Sequence, residues 1–184
     1  MNCQEIKTRA LILAGLREMP DAYVLSYINE IMQELAVKYG ATAAKKKNIY
    51  IDAEKSEWID LPEDCLSVKR CINEENNYVY DEFLIENQQI SFAVHGSYKI
   101  ECIAPHCSVK DISETPGINI AFHDAIACGV AFKETNRIFM HEDMFQGNNK
   151  TFLLQEYSRK ATEANIKLLG MKKSRRRINY APFF

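Results

Sequence analysis

Pro20 is the residue that most constrains how this chain can fold. Proline lacks an N–H, so it is tolerated in the first turn of a helix and not in its middle. Helical apolar spacing runs on both sides of it. Upstream, Ile6, Ala10, Leu13 and Ala14 line one stripe, which predicts a helix over 3–18. Downstream, Val24, Ile28, Ile31, Leu35 and Tyr39 line a second stripe, and Gly40 suits its left-handed end. Residues 1–40 are therefore expected to form two helices with one tight break.

After Gly40 the texture changes. Ala41 to Lys47, small residues and lysines, reads as a linker. Over 48–105 the apolar period shifts towards two. Ile49 and Ile51 flank Tyr50, and Trp58 to Leu61 reads as a strand stopped by Pro62. Leu66, Val68 and Ile72 are expected to share one strand face, and Tyr78 to Tyr80 follows the Asn76-Asn77 turn signal. Ile90, Phe92 and Val94, then Tyr98, Ile100 and Cys102, alternate around His95-Gly96-Ser97 and predict a hairpin.

Helical spacing returns near Ile118. Ala121, Ala125, Cys128 and Phe132 carry a third helix to about Met140, and a loop over 141–149 contains Gly147-Asn148-Asn149. Leu153, Tyr157, Ala161, Ala164 and Leu168 define a last helix from about Lys150 to Leu169, with Gly170 as its expected terminator. The predicted fold is α+β and mainly α. It is a four-helix bundle, with a small antiparallel sheet inserted between helices 2 and 3 and an extended C-terminal tail. Residues 1–170 form one domain, with helices over 1–40 and 118–170 and the β insertion over 48–105; residues 171–184 form the tail.

A chain of 184 residues supports one core. Its net charge of −2 gives no whole-chain signature of nucleic-acid binding, but it hides a segregation. No acid follows Glu163, whereas Lys167, Lys172, Lys173, Arg175, Arg176 and Arg177 do. Beyond Gly170 there is no helical stripe, yet Ile178, Tyr180, Phe183 and Phe184 are large apolar groups. Such groups are costly when left exposed, and Arg and Tyr are enriched in interface hot spots. Arg175, Arg176, Arg177, Ile178, Tyr180, Phe183 and Phe184 are the candidate partner-docking residues.

Other chemistries have weaker signals. Cys102, His106 and Cys107, with Cys65 and Cys71 in the same predicted sheet region, suggest zinc, but no pair has the familiar finger spacing and Cys102 falls on the apolar face of its strand. The six cysteines are expected to be free thiols in a reducing compartment. His123-Asp124 and His141-Glu142-Asp143 are neighbours in sequence, which on a helix points side chains about 100° apart. No motif with a catalytic mechanism appears, so neither an enzyme, a metal nor a cofactor is expected. Trp58 and the tyrosines of the β region are read as packing residues, because acids such as Asp52, Glu54, Glu57 and Asp60 lie among them. The run Ala10 to Leu16 is too short for a secretory signal. No stretch approaches the roughly 20 apolar residues of a membrane span.

Four landmarks in order resemble the head-to-tail adaptor, or head-completion, proteins of tailed bacteriophages. The first is the helix pair, through Thr8, Arg9, Ala10, Leu11, Leu13, Gly15, Pro20, Asn29, Glu30 and Met32. The second is Trp58-Ile59-Asp60-Leu61-Pro62-Glu63-Asp64, similar to the family's aromatic, Leu-Pro and Asp lead-in to its β excursion. The third is Thr115-Pro116 followed by Phe122-His123-Asp124-Ala125-Ile126, and the fourth is the long last helix with a C-terminal extension. The family's Pro-x-Leu-Pro ahead of the third helix is replaced here by Thr-Pro-Gly-Ile-Asn-Ile.

The resemblance implies a structural virion protein, made in the host cytoplasm and placed at the head–tail junction. It implies a ring of roughly twelve copies, contacting the portal and a downstream tail component and extending the channel through which DNA passes without base readout. Another neck or tail-completion ring protein is the nearest alternative. A small nucleic-acid-binding or regulatory protein using its basic tail is the alternative of a different class.

Overall fold

The computed structural model describes residues 1–138 and 147–177. The chain divides into two compact units: a helical unit, 1–43 with 106 onwards, and a sheet unit, 44–105.

In the helical unit, α1 (Cys3–Ala14) starts on a capping box in which Asn2 and Glu5 satisfy each other's backbone N–H groups. The next orphan donors, Cys3 N–H and Gln4 N–H, are met by the carbonyls of Glu114 and Ile112 at 2.8 and 2.9 Å. α1 stops at Gly15, earlier than the stripe alone suggests. Gly15 takes φ 68°, its N–H donates to the Ile12 carbonyl, and Leu16 N–H donates to that of Leu11. α2 (Asp21–Tyr39) begins immediately after Pro20 and ends at Gly40, as the sequence implies. A short 3₁₀ turn over Ile120–Phe122 leads into α3 (His123–Ile138), and α4 spans Gly147–Arg177.

The predicted four-helix bundle with a small sheet is not what forms. A bundle helix buries one stripe, but α3 buries Ala125 to Ala131 without interruption, all the way round its axis. α1, α2 and α4 each pack on α3. Small residues permit this: a Cβ added at Gly129 would lie 2.7 Å from Ile31 Cδ1 and 3.3 Å from Tyr157 Cδ2. The strands, in turn, amount to more than a small insertion. Seven of them lie between α2 and α3 in sequence, in two antiparallel sheets with a core of their own.

The strands are β1 (Lys45–Ala53), β2 (Trp58–Asp60), β3 (Ser67–Asn73), β4 (Tyr78–Tyr80), β5 (Phe83–Glu86), β6 (Gln89–Phe92) and β7 (Gly96–Ala104). One sheet has the order β1-β7-β3-β4 and the other β2-β6-β5. The expected hairpin across His95 to Ser97 is absent, because β6 and β7 belong to different sheets. Their apolar faces meet instead: Phe92 stacks on Tyr98 with ring centroids 3.8 Å apart and planes 5° from parallel. The residues expected to link α2 to the sheet already include strand, since β1 starts at Lys45. A register shift between Val68 and Arg70 makes Lys69 an extra residue in β3. Cys71, not Ile72, is therefore the fully buried residue of that strand.

Candidate interaction surfaces

The predicted docking segment begins on a helix. α4 continues through Gly170 to Arg177, which corrects the boundary expected at Gly170. Gly170 has no atom near its missing Cβ, and the residues after it, Met, Lys and Arg, are good helix formers. Cations are also favoured at a helix C-terminus, where the macrodipole is negative. Arg175, Arg176 and Arg177 thus fall in the last turn of α4. Ile178, Tyr180, Phe183 and Phe184 lie outside the described residues, as do His141 to Asp143.

A second surface, at the rim of the sheet unit, was not anticipated. β4 is an edge of one sheet and β5 an edge of the other. Tyr80 and Phe83 both pack against Phe92, at 6.2 and 6.4 Å between ring centroids, so both edges flank one side of the unit's core. Beyond that core the edges carry apolar groups in solvent: Tyr78 is 70% exposed, Leu84 67% and Ile85 50%. Between Arg70 and Lys99 there is no Lys or Arg, whereas Glu74, Glu75, Asp81, Glu82 and Glu86 all lie there, exposed. Lys47–Asp64 and Arg70–Glu101 are ion pairs of this unit.

β5 joins β6 through Asn87 and Gln88, both with positive φ (49° and 65°), the geometry of a two-residue type I′ turn. Such a turn makes Glu86 and Gln89 a hydrogen-bonded pair, and the alternation of an antiparallel ladder then turns the backbone groups of Phe83 and Ile85 outward. A run of outward N–H and C=O groups is a template for a further strand.

The aromatic residues divide accordingly. Tyr80, Phe83, Phe92 and Tyr98 pack together as core. Trp58, Tyr50 and Tyr78 do not, contrary to the packing role expected for them; Trp58 is 41% exposed. The absence of Lys and Arg between Arg70 and Lys99 is a sequence signal that could have found this edge. Its being an edge depends on strand order, which no local pattern carries.

The sequence pairs that hinted at chemistry are held apart by other partners. The Met1 amino group donates to His123 Nδ1 at 2.9 Å, and Nε2–H faces the Ile118 carbonyl at 3.2 Å. Burial, with the nearby positive amino group, holds the His123 imidazole below its usual pKa. Asp124 instead pairs with Arg9 at 2.8 Å. Both line an open groove of about 660 Å³ with Lys160 and Lys167. Burial pushes the Cys71 thiol up to about 12 and Cys3 to about 11, the reverse of an activated nucleophile. Cys65 is likewise raised to about 12, by burial and then by the adjacent Cys102 thiol. Cys71 and Cys102 belong to the sheet unit's core, and Cys107 is exposed. Among the described residues no three of His, Cys, Asp and Glu converge as a metal site. Nor is any helix among them long and apolar enough to cross a membrane.

One further polar cluster ties α2 to α3. Glu134, 1% exposed, receives two hydrogen bonds from Arg137 at 2.8 and 2.7 Å and one from the Tyr27 hydroxyl at 3.2 Å. The Arg137 guanidinium in turn lies over the Tyr23 ring.

No known protein-family model matches the chain, and no curated protein matches it in sequence.

Proposed function

We propose that this chain is a structural protein of a tailed-phage virion: a neck adaptor whose copies form a ring between portal and tail. The ring extends the DNA channel and helps retain packaged DNA. The observation that carries this reading is where the resembling residues fall in the fold. Residues of three of the four landmarks sit at joints. Gly15 ends α1 and Pro20 precedes α2. Asn29 clamps the segment before α3, its side-chain amide donating to the Val109 carbonyl and its side-chain oxygen accepting from Val109 N–H, at 3.0 and 2.8 Å. Leu61 is buried in the sheet unit's core, and Asp64 is held by Lys47. Pro116 and Phe122 are buried on the approach to α3. Amphipathic spacing alone would not require these residue types at these junctions.

The charge segregation supports the same reading. Copies that join head to tail use two different surfaces of each subunit, and such contacts close into a ring when the rotation allows. A basic C-terminal end and an acidic sheet edge are two such surfaces. By the resemblance the partners are the portal and a downstream tail component, and DNA meets the ring only by confinement or through its phosphates.

Two observations test the proposal. The reading frames flanking this one should encode portal and capsid proteins; flanking frames from a metabolic or regulatory operon would overturn it. Affinity for random duplex DNA should be weak, with a shallow salt dependence. Tight binding that falls steeply with log salt would favour a nucleic-acid-binding protein instead.

A further inference from the structure

The geometry points to an occupant for the acidic edge of the sheet unit: the C-terminal segment of a second copy of this chain. We propose that residues 172–184 of one subunit dock along β5 of the next, with Ile178 to Ala181 adding a strand. This rests on the ring reading and names the contact that would close it.

Three features make the fit. The first is charge. Lys172, Lys173, Arg175, Arg176 and Arg177 belong to a segment that contains no acid after Glu163. Asp81, Glu82 and Glu86 on β5 and its flanks, with Glu74 and Glu75 beside β4, have no Lys or Arg between Arg70 and Lys99. Complementary potentials steer such an encounter and fix its register.

The second is backbone. β5 is four residues long and an edge, with Phe83 and Ile85 presenting outward groups. Ile178-Asn179-Tyr180-Ala181 has the same length and a period of two. Pro182 follows, and having no N–H it ends a ladder. Main-chain hydrogen bonds then give affinity while alternate side chains give specificity.

The third is apolar surface. Tyr78, Leu84 and Ile85 stand exposed at the rim, and Ile178, Tyr180, Phe183 and Phe184 are apolar groups able to cover them. A row of exposed carboxylates among exposed apolar residues guards the edge against indiscriminate pairing, yet admits a partner that brings cations. Each contact repeated around a ring gains through avidity.

The test uses a labelled peptide of residues 172–184 and the full chain carrying Arg175→Glu, Arg176→Glu and Arg177→Glu, so that the chain's own tail does not compete. Fluorescence anisotropy should show saturable binding. Adding Glu82→Lys and Glu86→Lys to the chain should weaken it at least about tenfold, and a peptide with its three arginines changed to glutamate should recover binding to that edge. Circular dichroism confirms that each variant is folded. No binding, or binding indifferent to the edge charges, overturns the proposal. A wild-type chain that stays monomeric and refuses the peptide, while the tail-reversed chain accepts it, shows the edge filled by its own tail and overturns the second-copy occupant. Ring formation on the portal is read separately. A ring that persists in the Glu82→Lys, Glu86→Lys chain overturns the docking and leaves the neck reading standing. Peptide binding by a chain that builds no ring does the reverse.

Discussion

Truncating Phe92 to alanine should unfold the sheet unit and leave the helices in place. Phe92 is 1% exposed, lies 3.8 Å from Tyr98 in a parallel stack, and is flanked by Tyr80 and Phe83. Removing a buried phenylalanine costs about 3–5 kcal/mol, and a lost aromatic stack adds roughly 0.5–1.5 kcal/mol. A unit spanning 44–105 has about 3–9 kcal/mol to lose at ordinary per-residue stability. The chain supplies its own reporter. Its single tryptophan, Trp58, sits in β2 opposite Ser91 of β6, in the same sheet as Phe92. In a urea titration with a slope of about 1 kcal/mol per molar for so small a unit, the Trp58 midpoint should fall by about 3 M or vanish into the buffer baseline. The helical signal at 222 nm should keep its midpoint. Both signals falling together, or a Trp58 shift under about 1 M, would refute a separate sheet core built on Phe92.

Gly129→Leu should cost about 1–3 kcal/mol by thermal melting, because its side chain must displace Ile31 and Tyr157. Gly129→Ala should end near zero, since roughly 1 kcal/mol of helix propensity offsets the shift of the Ile31 terminus. Glu134→Gln should cost about 1–3 kcal/mol in chemical denaturation, because Arg137 and Tyr27 lose a buried charged acceptor. His123 binds its proton less readily when folded than when unfolded. Its contribution is therefore complete above the unfolded pKa of about 6.5 and is lost as the pH falls towards the lower folded value. Melting profiles across that range should slope downward on acidification, and His123→Gln should flatten the slope; an unchanged slope contradicts the assignment.

Much of the helical unit was legible because its signals are local. Pro20, Gly40 and the stripe from Val24 to Tyr39 each act within a turn or two of where they stand. The failures share a physical origin. Alternation in Ile90-Phe92 and Tyr98-Ile100 states which side chains share a face, not which strand lies alongside, so the two segments read as one hairpin when they belong to facing sheets. A bulge at Lys69 adds a residue and moves the buried position to Cys71, which no periodicity foretells. Gly170 looked like a terminator, but a glycine ends a helix only when the residues beyond it prefer to leave, and Met171 to Arg177 do not. The uninterrupted burial in α3 was obscured because Ala, Gly and Cys register weakly as apolar while permitting the closest approach. At the candidate surfaces, the arginines of α4 were visible as a charge run, whereas the acids of the β5 edge drew no functional reading from sequence. That the acids flank unpaired strands follows only from the fold.

The most direct test of the neck reading is whether this chain forms a complex of defined mass with a portal protein, should the flanking reading frames encode one. Mixed with portal at micromolar concentration and weighed by native mass spectrometry, the 21.2 kDa chain should add as a closed set of roughly twelve copies, the stoichiometry of a ring stacked coaxially on the portal. A portal that gains no mass, or that gains single copies in a graded, open-ended series, would contradict the account.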